Sequence, residues 1–466
     1  MELANDVAQL DATALAEAIR KGTYTSEEAV QSLFERIDRL NGKYNALVSL
    51  DRPRALQRAR EADLAQARGQ SWGPLHGVPI TVKDSFRTAG LRTTAGYAPL
   101  RDSVPDRDAD AVARLKNAGA IVIGKSNCAP LCSDLQTRND IFGTTGNPWE
   151  AGRTAGGSSG GEAAAVALGL SPLGLGSDSG GSIRVPASYC GVYGFKPSIG
   201  KIARDGLIPP LGDPAREDSL TVVGAIARSV RDLALSYSIL SGEPYGIDAA
   251  PQHAPRIAWT GEFPRQLMDD EVSSALEAAY RTLSDSGASV EKVEPPLDLH
   301  FLNFKYFMLN MYEFSPRESS PGLHKLFWLF ESARSVFSGG IEANYKKLKA
   351  DQREQVDLFD RFAQQFDCWA LPATPTAAFH HQKSGRPIPI RHRGKSKRYS
   401  YWHATGGFAF LANFLGCPSV AIPIGRDRNG LPIGIQVVGR REQDTALLRT
   451  AAHIAERIGS TMPLAT

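Results

Sequence analysis

The chain is poor in cysteine for its length, with five in 466 residues: Cys128, Cys132, Cys190, Cys368 and Cys417. An odd count without a CxxC pair argues against a disulfide framework. The nine histidines form no HExxH or HxH pattern, so no metal site is expected. An excess of one charge is also missing. The 53 basic and 50 acidic residues leave a formal charge of +3, too little to call for nucleic acid or an anionic membrane. Long apolar runs are absent too. The longest uncharged run near the centre, Ala163 to Ser177, is too short and too rich in glycine to span a bilayer. The opening MELANDVAQLDA has no basic n-region and no apolar h-region, so a cytoplasmic protein without a signal peptide is expected. An apolar share of 42% is ordinary for a soluble chain, and the length allows two or three domains.

What the chain does have is glycine and serine concentrated in one stretch, Gly152 to Pro197. Gly156-Gly157-Ser158-Ser159-Gly160-Gly161 and Ser179-Gly180-Gly181-Ser182 flank an apolar run rich in Ala, Leu and Val. Glycine lets backbone amides approach a ligand, and serine supplies a hydroxyl that a base can activate. A flexible linker would not run straight into Ala163-Ala164-Ala165-Val166-Ala167-Leu168. A phosphate loop would need GxxxxGK[ST], whereas Glu162 follows the glycines here. Nucleophilic catalysis fits better, with the 179–182 loop turning backbone N–H groups toward one point as an oxyanion hole requires.

The rest of the chain alternates short strands and helices, which predicts a layered α/β architecture. Residues 11–68 read as helices, with a capping box at Thr25 and Glu28 and Val30, Leu33, Ile37 and Leu40 in phase. Val78, Ile80 and Val82 alternate along a short strand that ends at Lys83. A helix over 108–118 leads to a buried strand, 120–125, that ends in a second lysine. Lys83 and Lys125 are therefore rival bases. Cys128 and Cys132 have no base beside them and read as inert. A helix from Gly161 to Leu170, a strand over 172–176, a strand over 222–226 and a helix capped by Ser229 complete this half. Beyond Pro244 come a strand at 256–259, a helix at 270–286 and an aromatic-rich stretch. In that stretch Leu323, Leu326, Phe327, Phe330 and Phe337 form a face at helical spacing. Such a face serves as core, as a substrate-channel wall or as a membrane contact. The basic run Arg391–Arg398 beside Tyr399, Tyr401 and Trp402 reads as a solvated loop rather than a nucleic-acid grip, given the balanced charge. Strands at 419–423 and 431–439 and a helix at 444–458 close the chain.

Three segments together carry a resemblance: GPLHGVPITVKD (Gly73–Asp84), GRTAGGSSGGEAAA (Gly152–Ala165) and GSDSGGSIRVPASYCGVYGFKPS (Gly176–Ser198). With the tail GLPIGIQVVGR (Gly430–Arg440), they make the chain resemble the amidase signature family over about residues 25–242 and 366–458, in a pattern nearest the bacterial general amidases. The resemblance implies a large mixed β-sheet core covered by helices on both faces. It implies one domain over 1–466, made of a helical part (1–70), a catalytic core (71–242), a variable pocket region (243–400) and a return to the core (401–466). It also implies a Ser–cis-Ser–Lys triad, with Ser182 as nucleophile, Ser158 after a cis Gly157–Ser158 peptide, and Lys83 as base in preference to Lys125. The amides of Ser179, Gly180, Gly181 and Ser182 would form the oxyanion hole. Asp178, Ser159 and Arg184 would orient the loops, and Cys132, Ser133 and Asp134 would line the pocket. Ser85 stands where the family often has asparagine.

The implied reaction is hydrolysis of a carboxylic amide, aryl amide or carbamate, with no cofactor or metal. The partner is a small-molecule amide, with no nucleic acid and no membrane span, and a homodimer is left open. Two alternatives remain at this point. One is an A-type subunit of glutamyl-tRNA(Gln) amidotransferase that releases ammonia for a partner. The other is a membrane-docking enzyme like fatty-acid-amide hydrolase, using the 323–337 face.

Overall fold

The computed structural model describes residues 2–208, 218–247, 254–313, 327, 329–332, 339–460 and 462–465, the side chains of 2–5 excepted. Eleven of its strands form one sheet. They are β1 (Leu47–Leu50), β2 (Pro79–Lys83), β3 (Ile121–Ser126), β4 (Leu173–Asp178), β5 (Tyr193–Lys196) and β6 (Val222–Ala227). The remainder are β7 (Arg256–Trp259), β8 (Ser289–Lys292), β9 (Cys368–Pro372), β10 (Ser419–Arg426) and β11 (Pro432–Val438). Their order across the sheet is β1-β3-β2-β4-β6-β5-β10-β11-β9-β7-β8. Strands β3, β2 and β4 run parallel, as do β9, β7 and β8, while β4 to β9 through the centre pair antiparallel. The sheet is therefore mixed, and each of the four segments expected from the sequence gives it at least one strand.

Alternation along the strands divides the apolar side chains between two cores. In β9, Cys368 and Ala370 join one core while Trp369 and Leu371 join the other. Helices cover both. Most element boundaries fall within two or three residues of those expected. The helix after the capping box spans Ser26–Tyr44, and the Thr25 and Glu28 side chains cap it reciprocally. Ser229 caps Val230–Ser241 as its sequence position suggested.

Three expectations need correction or division. Residues 11–68 are not all helical, since Leu47–Leu50 forms β1 and pairs antiparallel with β3 at the edge of the sheet. The basic run is not a loop. Ile388–His392 and Lys395–Tyr399 pair as an antiparallel hairpin. Its two-residue turn places Arg393 at φ 51° and Gly394 at φ 73°, the left-handed pair that a tight hairpin needs. The Asp270 carboxylate accepts both of their N–H groups, at 2.6 and 2.9 Å, which offsets the awkward conformation of Arg393. The basic side chains still face solvent, as expected. Of the 323–337 face, Leu323, Leu326 and Phe337 lie outside the described residues. Phe327 is buried in the second core and Phe330 is exposed. Among the described residues, no helix is long and apolar enough to cross a membrane.

Because β2 and β4 are parallel neighbours, their carboxyl ends, Lys83 and Asp178, emerge at the same edge of the sheet. In open α/β sheets that edge is where ligands bind.

Candidate active site

Lys83 ends a fully buried strand. Its Nζ lies 2.7 Å from Ser158 Oγ and 3.0 Å from Ser177 Oγ, and all three residues are buried. Ser158 follows a cis peptide from Gly157. The next residue, Ser159, donates its N–H to the carbonyl of Ser182 at 3.1 Å, which ties the two Gly/Ser clusters together. Ser182 itself sits on the wall of a cavity of about 670 Å³. Lys125 is fully buried elsewhere. Its ammonium is held by the Phe86 carbonyl and by the hydroxyls of Thr88 and Thr93, with no contact to the serines. Geometry thus brings Lys83, and not Lys125, to the serine cluster.

The 179–182 loop is held from below by a buried ion pair. Arg184 meets Asp178 through Nε at 3.1 Å and Nη2 at 3.0 Å, with both side chains inaccessible. Asn413 accepts from Arg184 at 2.5 Å and donates to Asp178 at 3.0 Å, while Gln436 accepts from Arg184 at 2.7 Å. Burial pushes the Asp178 carboxyl up. The Arg184 guanidinium, aided by Lys196 and the Gly181 N–H, outweighs that and holds it well below the usual carboxylate range.

This pair corrects one expectation. The Gly181 N–H is already committed, donating to Asp178 Oδ1 at 2.7 Å, so it does not face an oxyanion. The amides of Ser179, Gly180 and Ser182 have no partner among the described residues. Two glycines of the loop are dictated by space. A Cβ on Gly180 would fall 2.1 Å from the Tyr306 hydroxyl, and one on Gly181, at φ 106°, would fall 2.6 Å from Ala409 Cβ.

Cys132, Ser133 and Asp134 line the cavity. Asp134 is engaged by the hydroxyls of Tyr401, at 2.5 Å, and of Ser384. Three residues at the site are not marked individually by the sequence, although Tyr306 falls in the expected pocket region 243–400 and Gln436 in the Gly430–Arg440 tail. Tyr306, on the helix Leu299–Glu313, donates to the Ser179 carbonyl at 2.9 Å and stacks on Phe410. Asn413 and Gln436 are single polar residues in apolar runs, FLANF and PIGIQVV. A lone polar side chain in a buried run is the pattern that could have revealed both.

Behind Lys83, Glu162 is fully buried and accepts from Thr81 at 2.6 Å. Burial pushes its carboxyl up to about 7, against the pull of that hydroxyl and the nearby lysines. The folded chain then keeps a proton that the unfolded chain loses near 4.5. This contribution to stability is full below about 4.5 and fades as the pH rises to about 7. Urea melts from pH 4.5 to 8 should show the wild type losing on the order of 2–3 kcal/mol more than Glu162→Gln. Parallel slopes would contradict this.

The Amidase family model matches residues 28–448, including the middle region that the sequence motifs left unassigned. The chain belongs to the amidase signature family. It is similar to the A-type subunit of glutamyl-tRNA(Gln) amidotransferase from Moorella thermoacetica, at 33% identity over 95% of each chain. A solved amidase superimposes with a TM-score of 0.82 at 29% identity, covering 96% of this chain and all of the other. A chain of a vestigial protein complex linked to an s-triazine catabolic enzyme superimposes with a TM-score of 0.81 at 28% identity, covering 98% and 100%. At the level the family assigns, this is a hydrolase of C–N bonds. Among the described residues of this amidase-family chain, no cluster of three or more His, Cys, Asp or Glu could hold a metal.

Proposed function

We propose that the chain hydrolyses a carboxylic amide through a seryl acyl-enzyme, with Ser182 as nucleophile, Ser158 as proton relay and Lys83 as base. The observation that carries this reading is the buried 2.7 Å link from Lys83 to Ser158, on a loop bonded directly to Ser182 at the cavity wall. Lysine accepts a proton only as the free amine. Ser182 Oγ bonds to the amide carbon while its proton passes through Ser158 to Lys83. The free amides of the 179–182 loop hold the oxyanion. The C–N bond breaks as the proton returns through Ser158 to the leaving nitrogen. Water then repeats the sequence on the ester, releasing the acid and restoring Ser182. The sum is amide plus water giving acid plus ammonia or amine.

The cavity suits a drug-sized amide, being lined by Phe301, Phe304, Phe307, Met311, Trp402 and Phe410. This supports a free-standing amidase acting on an amide with a large apolar part. A second reading, an A-type amidotransferase subunit that cleaves glutamine for a partner, is favoured by the curated relatives at 30–34% identity over nearly the whole chain. One panel separates the two: aliphatic, aryl and long-chain amides plus glutamine, with ammonia and amine both followed and Ser182→Ala as control. Turnover of apolar amides by the chain alone supports the first reading. Turnover confined to glutamine, or appearing only with a partner subunit, supports the second.

A further inference from the structure

A trans peptide is planar, and its C=O and N–H point opposite ways. Whatever holds the carbonyl of one residue therefore fixes the direction of the next residue's N–H. The peptides of the 179–182 loop are trans, and their carbonyls are held one by one. Asn413 Nδ2 donates to the Asp178 carbonyl at 3.1 Å, which sets the Ser179 N–H. The Tyr306 hydroxyl donates to the Ser179 carbonyl at 2.9 Å, which sets the Gly180 N–H. The Val185 N–H donates to the Gly181 carbonyl at 2.7 Å, which sets the Ser182 N–H. The three N–H groups set in this way are those left without a partner among the described residues, whereas the Gly181 N–H is spent on Asp178.

Two of these holds belong to the core. Val185 lies in the short helix Arg184–Cys190 that follows the loop, and Asn413 is part of the buried network around Asp178 and Arg184. Tyr306 comes instead from the helix Leu299–Glu313 of the pocket region. Its ring stacks on Phe410 with 4.3 Å between centroids, and both rings line the cavity beside Gly180 and Ser182. Burial pushes its phenol well above the ordinary range, so it stays a donor. The Ser179 hydroxyl is bonded to Thr221 at 2.9 Å, which fixes that side chain but not the peptide after it. Gly180 has no side chain to resist rotation of that peptide, and a Cβ there would fall 2.1 Å from the Tyr306 hydroxyl. Without the hydroxyl the Ser179 carbonyl loses its hydrogen bond, and the peptide can turn and carry the Gly180 N–H away.

We propose that Tyr306 is a positioning residue for the oxyanion hole, its hydroxyl holding the Ser179–Gly180 peptide so that the Gly180 N–H is available to the tetrahedral intermediate. This rests on the seryl acyl-enzyme reading and adds to it a residue of the pocket helix. Because the ring that carries the hydroxyl is also cavity wall, the shape of the pocket and the setting of the hole are one piece.

The test compares a phenylalkyl trifluoromethyl ketone with the matching trifluoromethyl carbinol, which cannot be attacked. With the ketone, the carbonyl carbon gains a bond to Ser182 Oγ, the serine proton passes through Ser158 to Lys83, and the former carbonyl oxygen becomes an oxyanion. Affinities are measured by calorimetry, and the adduct is followed by fluorine NMR. Tyr306→Phe keeps the ring and its stack on Phe410. It is expected to lower kcat on the best amide roughly 10- to 100-fold with KM within about three-fold, and to weaken the ketone by a similar factor while leaving the carbinol unchanged. Tyr306→Leu also lacks the hydroxyl and gives the ketone-to-carbinol ratio by a second route should the phenylalanine protein fail to fold, as judged by circular dichroism. A ratio unchanged from wild type in a folded variant, or an equal loss for ketone and carbinol, overturns the proposal. Failure of the wild type itself to form the adduct would overturn the seryl reading and this inference with it, an outcome read before any Tyr306 variant is made.

Discussion

Ser182→Ala is expected to lower kcat on the best amide by on the order of 10⁴- to 10⁶-fold, and Lys83→Met by a comparable factor. The two residues work on one proton path, so the double variant should be scarcely slower than either single one. Ser182 sits at the cavity wall. Lys83 reaches the serine cluster through Ser158 at 2.7 Å and has Ser177 as its only other side-chain contact of that kind among the described residues. Methionine fills the lysine's volume without offering a base, so the loss should appear in rate far more than in melting temperature. Lys125→Met gives the contrast. Lys125 satisfies the Phe86 carbonyl and two threonine hydroxyls away from the serines. Its removal should destabilise the fold by about 1–3 kcal/mol while leaving the activity of each folded molecule within a few-fold. A collapse of turnover in a folded Lys125→Met protein, with Lys83→Met still active, would reverse the assignment of the base.

The second large effect falls on stability. Arg184→Leu is expected to cost about 3–5 kcal/mol, because it strands the Asp178 carboxylate in a fully buried site and frees Asn413 and Gln436 of their common partner. Replacing both members by apolar residues should recover part of that loss. The pH dependence has a definite sign. Asp178 titrates lower in the folded chain than its ordinary value of 3.8. Its ionised form therefore adds stability that is complete above about pH 4 and erodes as the pH falls further. Asp178→Asn should lack that acid-side component, and urea melts between pH 3 and 7 would show it. Activity should fall with stability here, since Asp178 holds the N–H groups of Gly181, at 2.7 Å, and Ile183, at 3.1 Å, which shape the loop ahead of Ser182.

Much of the fold is legible in the chain because its signals are local. The capping box at Thr25, the cap at Ser229 and the alternation leading to Lys83 each depend on neighbours within a few residues. The Gly/Ser clusters also announce themselves, and their three-motif order points to the family. What is not legible depends on contacts far apart in sequence. Tyr306 reaches Ser179 across 127 positions, and Asn413 reaches Asp178 across 235. The Arg393–Gly394 turn is hidden because basic composition masks a tight hairpin that is pinned by Asp270 from another element. The role of Gly181 is obscured for a more local reason. An aspartate whose side chain accepts the N–H three residues on is a familiar turn device, and Asp178-Ser179-Gly180-Gly181 has that spacing. That clue lies in the sequence, but a serine-flanked glycine pair suggests oxyanion donors at every position of the loop.

The most direct test of the central claim is the mass of the intact protein during turnover of a slow p-nitrophenyl ester or anilide, with the modified peptide sequenced. The account predicts one acyl group per chain, carried by Ser182, formed in a burst by the wild type and absent from Ser182→Ala and Lys83→Met. An acyl group found on Ser158 or Cys132, or a full burst persisting without Lys83, would contradict it.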